Sequence, residues 1–587
     1  MRAFRFYRLL PVFLVLFACN KDYVPSTTAE EGGKGTSRID AVSKLSGNAG
    51  DTLVLNGTFG NSDVIMFGSL GVEPFSRSSS ELKFVVPGGT GSSYISVKTG
   101  GIESNKWVFS YLLPPPPQGY KIGAVYYDID TTALYAAGPG TKYLKLDFRD
   151  QAGESPIRVH LMVIDVANPY VQFRSVLAMD SVLNVETVPA MAGRKSAAGQ
   201  NYFAGINGDR FNNDANNANF GRVSGACVVD GTITNSNSSI QSYAPVYFNQ
   251  NTIYFDDIRL NTSLTLANGS SMSFRTINNS RAADDLVLYN VYRGVNSATN
   301  IFGTELAVVP ADGSWGDHQD VPVKVLTKTT EADKKGSTII PAGGAVLSAH
   351  GTQSASFLTE AGVGDVLKVT ANISNDRGVI AEQLISGDFR ILKDGAAING
   401  DGTRSGRTAI GATQDKSKII FCVVEGAIEG VSVGASRADL ADILKIAGAY
   451  NAVNLNGGDL STLYLKNSGY NHTGLMNQPG GTTAAPNAGN GLFVVSTAPA
   501  DAVVSRLVSD VYSIRLQKGE TVTPNFYGLN QYDHIADPAP AGVTLSGAPG
   551  LGIIEGASFK AGETAGHGVL TASYNGLTTT IHLNVVD

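Results

Sequence analysis

Apolar residues along this chain fall mostly in short runs that alternate with polar ones and stop at Gly, Asn or Asp, the pattern of β-strands joined by turns. From Arg38 to Tyr111 the alternation puts Leu53, Leu55 and Phe59 on one side of the chain, as a small β-sandwich requires. The same period returns from about residue 500 to Asp587, for example in Ser513–Leu516 and Thr578–Val585. One stretch has helical spacing instead. Leu440, Ile443, Leu444 and Ala447 follow Ser436, a good N-cap with Asp439 three residues on, and Gly448 ends the helix. Next, Ala452–Leu455 reads as a buried strand, and Gly457-Gly458 behind it frees the backbone to turn sharply against a ligand.

The ends add targeting information. Arg2, Arg5 and Arg8 precede an apolar run from Leu9 to Phe17, then Ala18 and Cys19, which is the order of a lipoprotein signal with lipidation expected on Cys19. That run is shorter than the ~20 residues a membrane span needs, so the membrane is expected to be met through the lipid alone. Residues 20–35 are polar and rich in Gly, Ser, Thr and Glu, a flexible tether. Pro114–Pro117 form a semi-rigid spacer. These signals divide the chain into a signal peptide (1–18), a tether (19–35), a β domain (36–112), a proline linker (113–118), a central domain (119–497) and a C-terminal β domain (500–587).

Composition removes some options. A net charge of −7 with no basic cluster argues against nucleic acid as a partner, and only 16% of residues are charged while 67 are Gly. Beyond Cys19 only Cys227 and Cys422 remain, each inside an apolar run, where a free buried thiol is the simpler expectation and a disulfide between them the alternative.

Three stretches resemble known families. Gly47–Gly60, Val64–Gly68, Val85-Val86-Pro87 and Phe109-Ser110-Tyr111 together resemble a TIG-type immunoglobulin-like domain, and residues 500–587 resemble a bacterial immunoglobulin-like repeat. Between Gly119 and Ser496, Phe203–Asp209, Val228–Gly231, Asp285–Tyr289, Gly303-Thr304-Glu305, Ile340–Gly344 with Leu347–Gly351, Arg407–Gly411 and Asn454–Gly458 occur in the order seen in the phosphodiester glycosidases. The central region therefore resembles that family, which includes N-acetylglucosamine-1-phosphodiester α-N-acetylglucosaminidase and its bacterial relatives. The expected fold is an α+β central domain with a mixed β-sheet and few helices, flanked by two all-β immunoglobulin-like sandwiches.

The resemblance implies cleavage of a sugar-1-phosphodiester, whose phosphate leaves readily as an anion. Charge stabilisation then matters more than general-acid help. Arg407 is the candidate phosphate clamp, with a structural ion pair as its alternative role. Asp209 is the candidate carboxylate, as nucleophile, as base for water or as metal ligand; an Asx-rich turn over 207–214 is the plainer reading. No cofactor is required by this chemistry. A divalent cation such as calcium could use the oxygens of 207–214, although their spacing matches no EF-hand loop. Where the family carries Asn-Leu-Asp-Gly-Gly-Gly-Ser-Ser, this chain has Asn454-Leu455-Asn456-Gly457-Gly458-Asp459-Leu460-Ser461. An amide thus replaces the acid at 456, so either Asp459 supplies the charge, or Asp209 carries the chemistry alone, or activity has been lost. Asn207, Asn454, Asn456, Gly457, Gly458 and Ser461 are candidate contacts to the sugar, with Glu425 and His350 as weaker ones. The expected protein is a monomeric surface lipoprotein, exported to the bacterial envelope with the outer membrane as its destination, that hydrolyses a glycan sugar-phosphodiester. A non-catalytic glycan-binding or adhesive lipoprotein on the same scaffold is the rival.

Overall fold

The computed structural model describes residues 37–89, 92–111, 119–150, 152–236, 242–398, 400, 402–466 and 474–587. Cys19, the tether and Pro114–Pro117 lie outside the described residues. The chain forms two compact units, Met1–Pro117 and Gln118–Asp587.

In the first unit, the strand Thr52–Thr58 buries Leu53 and Leu55 and puts half-buried Val54 on the opposite face, as its alternation requires. It lies in a four-stranded sheet with Arg38–Val42, Glu81–Val85 and Ser76–Arg77, while Trp107–Tyr111, Ser92–Thr99 and Val64–Phe67 belong to a six-stranded sheet. One core of Leu53, Leu55, Ile65, Phe84, Ile95 and Phe109 joins them. Phe59 is buried with this set, so the described part of the unit is all-β with a shared interior.

The second unit is built on a nine-stranded sheet whose pairings are antiparallel throughout, while its eight-stranded sheet is mixed, with Thr276–Ile277 parallel to Leu286–Asn290. The strand Lys418–Val424 of the nine-stranded sheet explains the uninterrupted apolar run in the sequence. Ile419, Phe421 and Val423 face one core, shared with Phe173, Ile206 and Leu492 of a four-stranded sheet. Ile420, Cys422 and Val424 face the other, under the helix Arg437–Ile446. Both faces are covered, so no polar alternation survives. Cys422 is a packing residue there, and it and Cys227 are both free thiols.

That helix begins where the sequence places it. The Ser436 hydroxyl accepts the Asp439 N–H at 3.0 Å, the Asp439 carboxylate accepts the Ser436 N–H at 3.0 Å, and Leu440, Ile443 and Leu444 are buried. With Val188–Lys195 and Thr352–Thr359 it makes three α-helices among the described residues, so the chain is β-rich.

The eight-stranded sheet, spanning Arg259–Thr265 to Val366–Ser374, encloses a separate core. The strands after residue 500 form small sheets of their own, yet Val508, Tyr527 and Leu529 share the hydrophobic cluster of Phe203 and Ile206. The C-terminal strands are therefore packed onto the central region.

Candidate functional site

Three strands converge on one polar site: Asn201–Asn207, Arg407–Ala412 and Asn451–Asn454. The last two are neighbours in the nine-stranded sheet, and the first enters from the four-stranded sheet. Asn207 ties them together. Its Oδ1 accepts the Thr408 hydroxyl at 2.8 Å and the Thr462 N–H at 2.9 Å, and its Nδ2 donates to the Asn456 carbonyl at 2.7 Å. The backbone adds Asn456 N–H to the Gly208 carbonyl at 3.0 Å and Gly458 N–H to the Gly406 carbonyl at 2.8 Å. The turn near 209, the segment at 407 and the glycine ribbon after 455 thus meet in one place. Asn207 is thus a structural pin: both lone pairs of its oxygen are taken and one of its two Nδ2 hydrogens is used.

Glycine is required where the ribbon crosses Gly406. A Cβ at Gly406 would stand 2.7 Å from the Gly458 carbonyl oxygen, and one at Gly457 would stand 2.9 Å from the Gly406 carbonyl oxygen. The Arg407 side chain lies beside Gly457, its Cδ 3.8 Å from the position a Cβ would occupy. Arg407 Nε donates to the Ala435 carbonyl at 2.9 Å and an Nη donates to the Thr403 carbonyl at 2.7 Å, which fixes the plane of the guanidinium. The residue is half-buried.

Asp209 is buried at 2% exposure. Its Oδ1 accepts the Ser386 N–H at 2.7 Å and Asn490 Nδ2 at 3.0 Å, and its N–H donates to Asn490 Oδ1 at 2.8 Å. Its Oδ2 is buried without a partner. Burial pushes the Asp209 carboxyl up to about 8, against the pull of the Asn490 and Ser386 hydrogen bonds, with the nearby charge of Asp388 adding to the rise. At neutral pH Asp209 therefore favours its protonated form, which can donate a hydrogen bond. The plainer reading applies just downstream: Asn212, Asp214 and Asn217 side chains each accept the N–H two residues on, the geometry of Asx turns.

Two further groups at this site escaped the sequence reading. Asn490, between Gly489 and Gly491, orients Asp209 from a strand 281 residues away. Asp388 pairs with Arg210 Nε at 2.6 Å, takes part of its electrostatic environment from Arg407 and Arg437, and accepts into its carboxyl a net upward shift from burial. The signal available was a polar residue flanked by glycine at the end of an apolar run, as in Gly489-Asn490-Gly491 and Ser386-Gly387-Asp388.

Around these groups, Asn454 Oδ1 and the Ser461 hydroxyl are buried and unpartnered, and the Ser461 oxygen is 3.3 Å from where a Gly406 Cβ would lie. Asn456 is half-buried. Asp459 is exposed on the turn Gly458–Leu460, which packs against Pro479–Gly481 so closely that a Cβ on Gly480 would be 3.1 Å from the Asp459 carboxyl carbon. Glu425 reaches the same segment from below: both its oxygens accept the Gln478 N–H at 3.0 Å. Its Oε1 also lies 3.1 Å from His160 Nε2, and His160 Nδ1 lies 2.7 Å from the Tyr143 hydroxyl. Burial opposes the charge on Glu425, but His160 and the Gln478 N–H outweigh it and hold the carboxyl low, while burial lowers His160. Glu425 is thus a charged residue inside a hydrogen-bonded chain. His350 is placed elsewhere, after strand Ala345–Ala349 of the eight-stranded sheet, with its N–H on the Asp285 carbonyl at 3.1 Å and its ring 6.1 Å from that of Phe302. Among the described residues no group of three or more His, Cys, Asp or Glu is gathered to hold a metal ion.

Residues 320–495 match a family model described as phosphodiester glycosidase. That span contains Arg407, Glu425 and the ribbon Asn454–Ser461, and begins after Asn207 and Asp209. No curated protein matches the chain at a significant level. Among solved structures, a hypothetical protein from Synechocystis is similar at 17% identity and a TM-score of 0.48, over 78% of this chain and 81% of the other. A putative exported protein from Burkholderia pseudomallei K96243 is similar at 19% identity and a TM-score of 0.45, over 80% and 98%. The catalytic domain of zebrafish N-acetylglucosamine-1-phosphodiester α-N-acetylglucosaminidase, auto-inhibited by its pro-peptide, aligns at 14% identity and a TM-score of 0.29, over 63% and 89%.

Proposed function

We propose that this protein hydrolyses a sugar-1-phosphodiester in a glycan, releasing the sugar and leaving a phosphomonoester. The observation that carries the reading is the meeting of Arg407, the Gly457-Gly458 ribbon and the Asp209 turn around unpartnered polar atoms. The family-model match over residues 320–495 supports the reaction class.

In this reading the bond between the anomeric carbon and the phosphate oxygen breaks, and the electron pair leaves with the phosphate. Arg407, held flat by two carbonyls, takes the departing charge in its fork of donors. Water adds to the anomeric carbon and its proton passes to the exposed carboxylate of Asp459, then to solvent. The half-buried Asn456 side chain accepts a sugar hydroxyl through its Oδ1, while protonated Asp209, Asn454 and Ser461 are buried behind the ribbon and set the polarity and shape of the site from there. Purified protein incubated with an activated sugar-1-phosphate diester, beside an Arg407→Ala control, tests the assignment.

One observation favours a second reading. The amide at Asn456, where the family run has an acid, suits a protein that holds a glycan without cleaving it. Binding of the diester without turnover would select that reading.

The same proposal includes export and lipid attachment through Cys19 to the outer membrane of a bacterial envelope, with the TIG-type module of residues 36–112 as a spacer. The Leu9–Cys19 order supports it. Incorporation of labelled palmitate that disappears in Cys19→Ser tests the attachment.

A further inference from the structure

Away from this site, a cleft of about 450 Å³ opens where the C-terminal strands pack on the nine-stranded sheet. The strands Thr141–Asp150 and Ile157–Asp165 give it Lys145, Arg149 and Arg158, and the C-terminal segment gives it Asp510 and Arg515. With Asp147 included, four cationic side chains face two carboxylates.

The carboxylates are already engaged. Asp147 receives both arms of Arg158, Nε at 2.6 Å and Nη2 at 3.0 Å. Asp510 accepts the Asn525 N–H at 3.0 Å and its Nδ2 at 2.8 Å. Arg149 pairs with Asp130 at 2.9 Å, outside the cleft lining. Lys145 and Arg515 remain, one from each wall, and neither has an anionic partner among the described residues.

Solvated lysines are ordinary on an open surface. Lys145 is different, since it is half-buried in a concavity of the size that holds a small ligand. Burial and then the neighbouring charge of Arg158 lower its pKa by more than the carboxylates of Asp147, Glu425 and Asp510 raise it, so an incoming anion would favour the ammonium.

We propose that this cleft is a second glycan subsite, which takes a sugar bearing an oxyanion, phosphate or carboxylate, between Lys145 and Arg515. The C-terminal strands then form half of a binding site as well as a packing partner. The choice of a sugar as the ligand rests on the hydrolase reading, whereas the anion site itself uses none of the residues assigned there.

Calorimetric titration of the purified protein with glucose 1-phosphate, glucuronate and neutral glucose tests it, alongside the Arg407→Ala and Lys145→Gln/Arg515→Gln variants. Thermal unfolding establishes that each variant is folded. The expected result is salt-sensitive binding of at least one charged sugar, retained in Arg407→Ala and weakened about tenfold or more in the double variant, with glucose silent. Binding of glucose 1-phosphate alone identifies phosphate as the recognised group, and binding of glucuronate alone identifies carboxylate. Affinity unchanged in the double variant, abolished by Arg407→Ala, equal for glucose, or absent for all three sugars overturns the proposal.

Discussion

Asn207 Nδ2 donates to the carbonyl oxygen of Asn456 at 2.7 Å, across 249 residues of sequence. The bond matters because the same amide also receives Thr408 and Thr462, so one buried side chain sets the spacing of the strand end, the Arg407 segment and the glycine ribbon.

Asn207→Ala removes all three bonds and leaves buried partners unpaired. The expected loss is about 2–4 kcal/mol of stability, read by urea denaturation. A loss within about 0.5 kcal/mol, the range of ordinary surface changes, would show that the tie is dispensable.

The ribbon's contact with Gly406 makes a sharper test of geometry. Gly406→Ala drives a methyl to within 2.7 Å of the Gly458 carbonyl oxygen and displaces the turn, whereas a Cβ at Gly402 meets nothing within 4 Å. Diester hydrolysis should fall about tenfold or more in Gly406→Ala and stay near wild type in Gly402→Ala.

Asp209 links the site to pH. Its folded carboxyl is raised by burial to about 8, above the ordinary unfolded value of about 3.9, so the folded protein binds the proton more tightly. The stability associated with this group is full below about pH 4, declines as pH rises through the interval up to about 8 and falls no further above it. Asp209→Asn keeps the Oδ1 acceptor for Ser386 and Asn490 and cannot ionise. Urea unfolding should therefore find the variant less sensitive than wild type between pH 5 and 9, and hydrolysis by the variant should lose the decline above about pH 8. Identical pH profiles in the two proteins would remove Asp209 from the account.

Asn456→Asp restores the acid of the family run at a half-buried position whose backbone, rather than side chain, carries the bonds to Gly208 and Asn207. Hydrolysis should be unchanged or faster. A large fall would mean that the amide N–H, which a carboxylate lacks, handles the substrate.

Local signals made part of this architecture legible. Ser436 and Asp439 announce the helix start because capping is decided within three residues, and the apolar run Ile419–Val424 announces a strand covered on both faces. Long-range pairing leaves no such trace. Nothing near Asp209 marks Asn490 as its partner, and an asparagine that pins three strands looks the same in sequence as one that holds a sugar, which is why Asn207 reads as a ligand contact. Asp388 was hidden for the same reason, since its partner Arg210 is brought to it only by the fold. The antiparallel order of the nine-stranded sheet was not legible either, because strands buried on both faces carry the same apolar run in either direction.

Steady-state hydrolysis of an activated sugar-1-phosphate diester by the wild-type chain and by Arg407→Ala addresses the proposal at its centre. Turnover to free sugar and phosphomonoester, reduced about a hundredfold or more when the guanidinium is removed, is expected. A wild-type rate no greater than that of Arg407→Ala would contradict it.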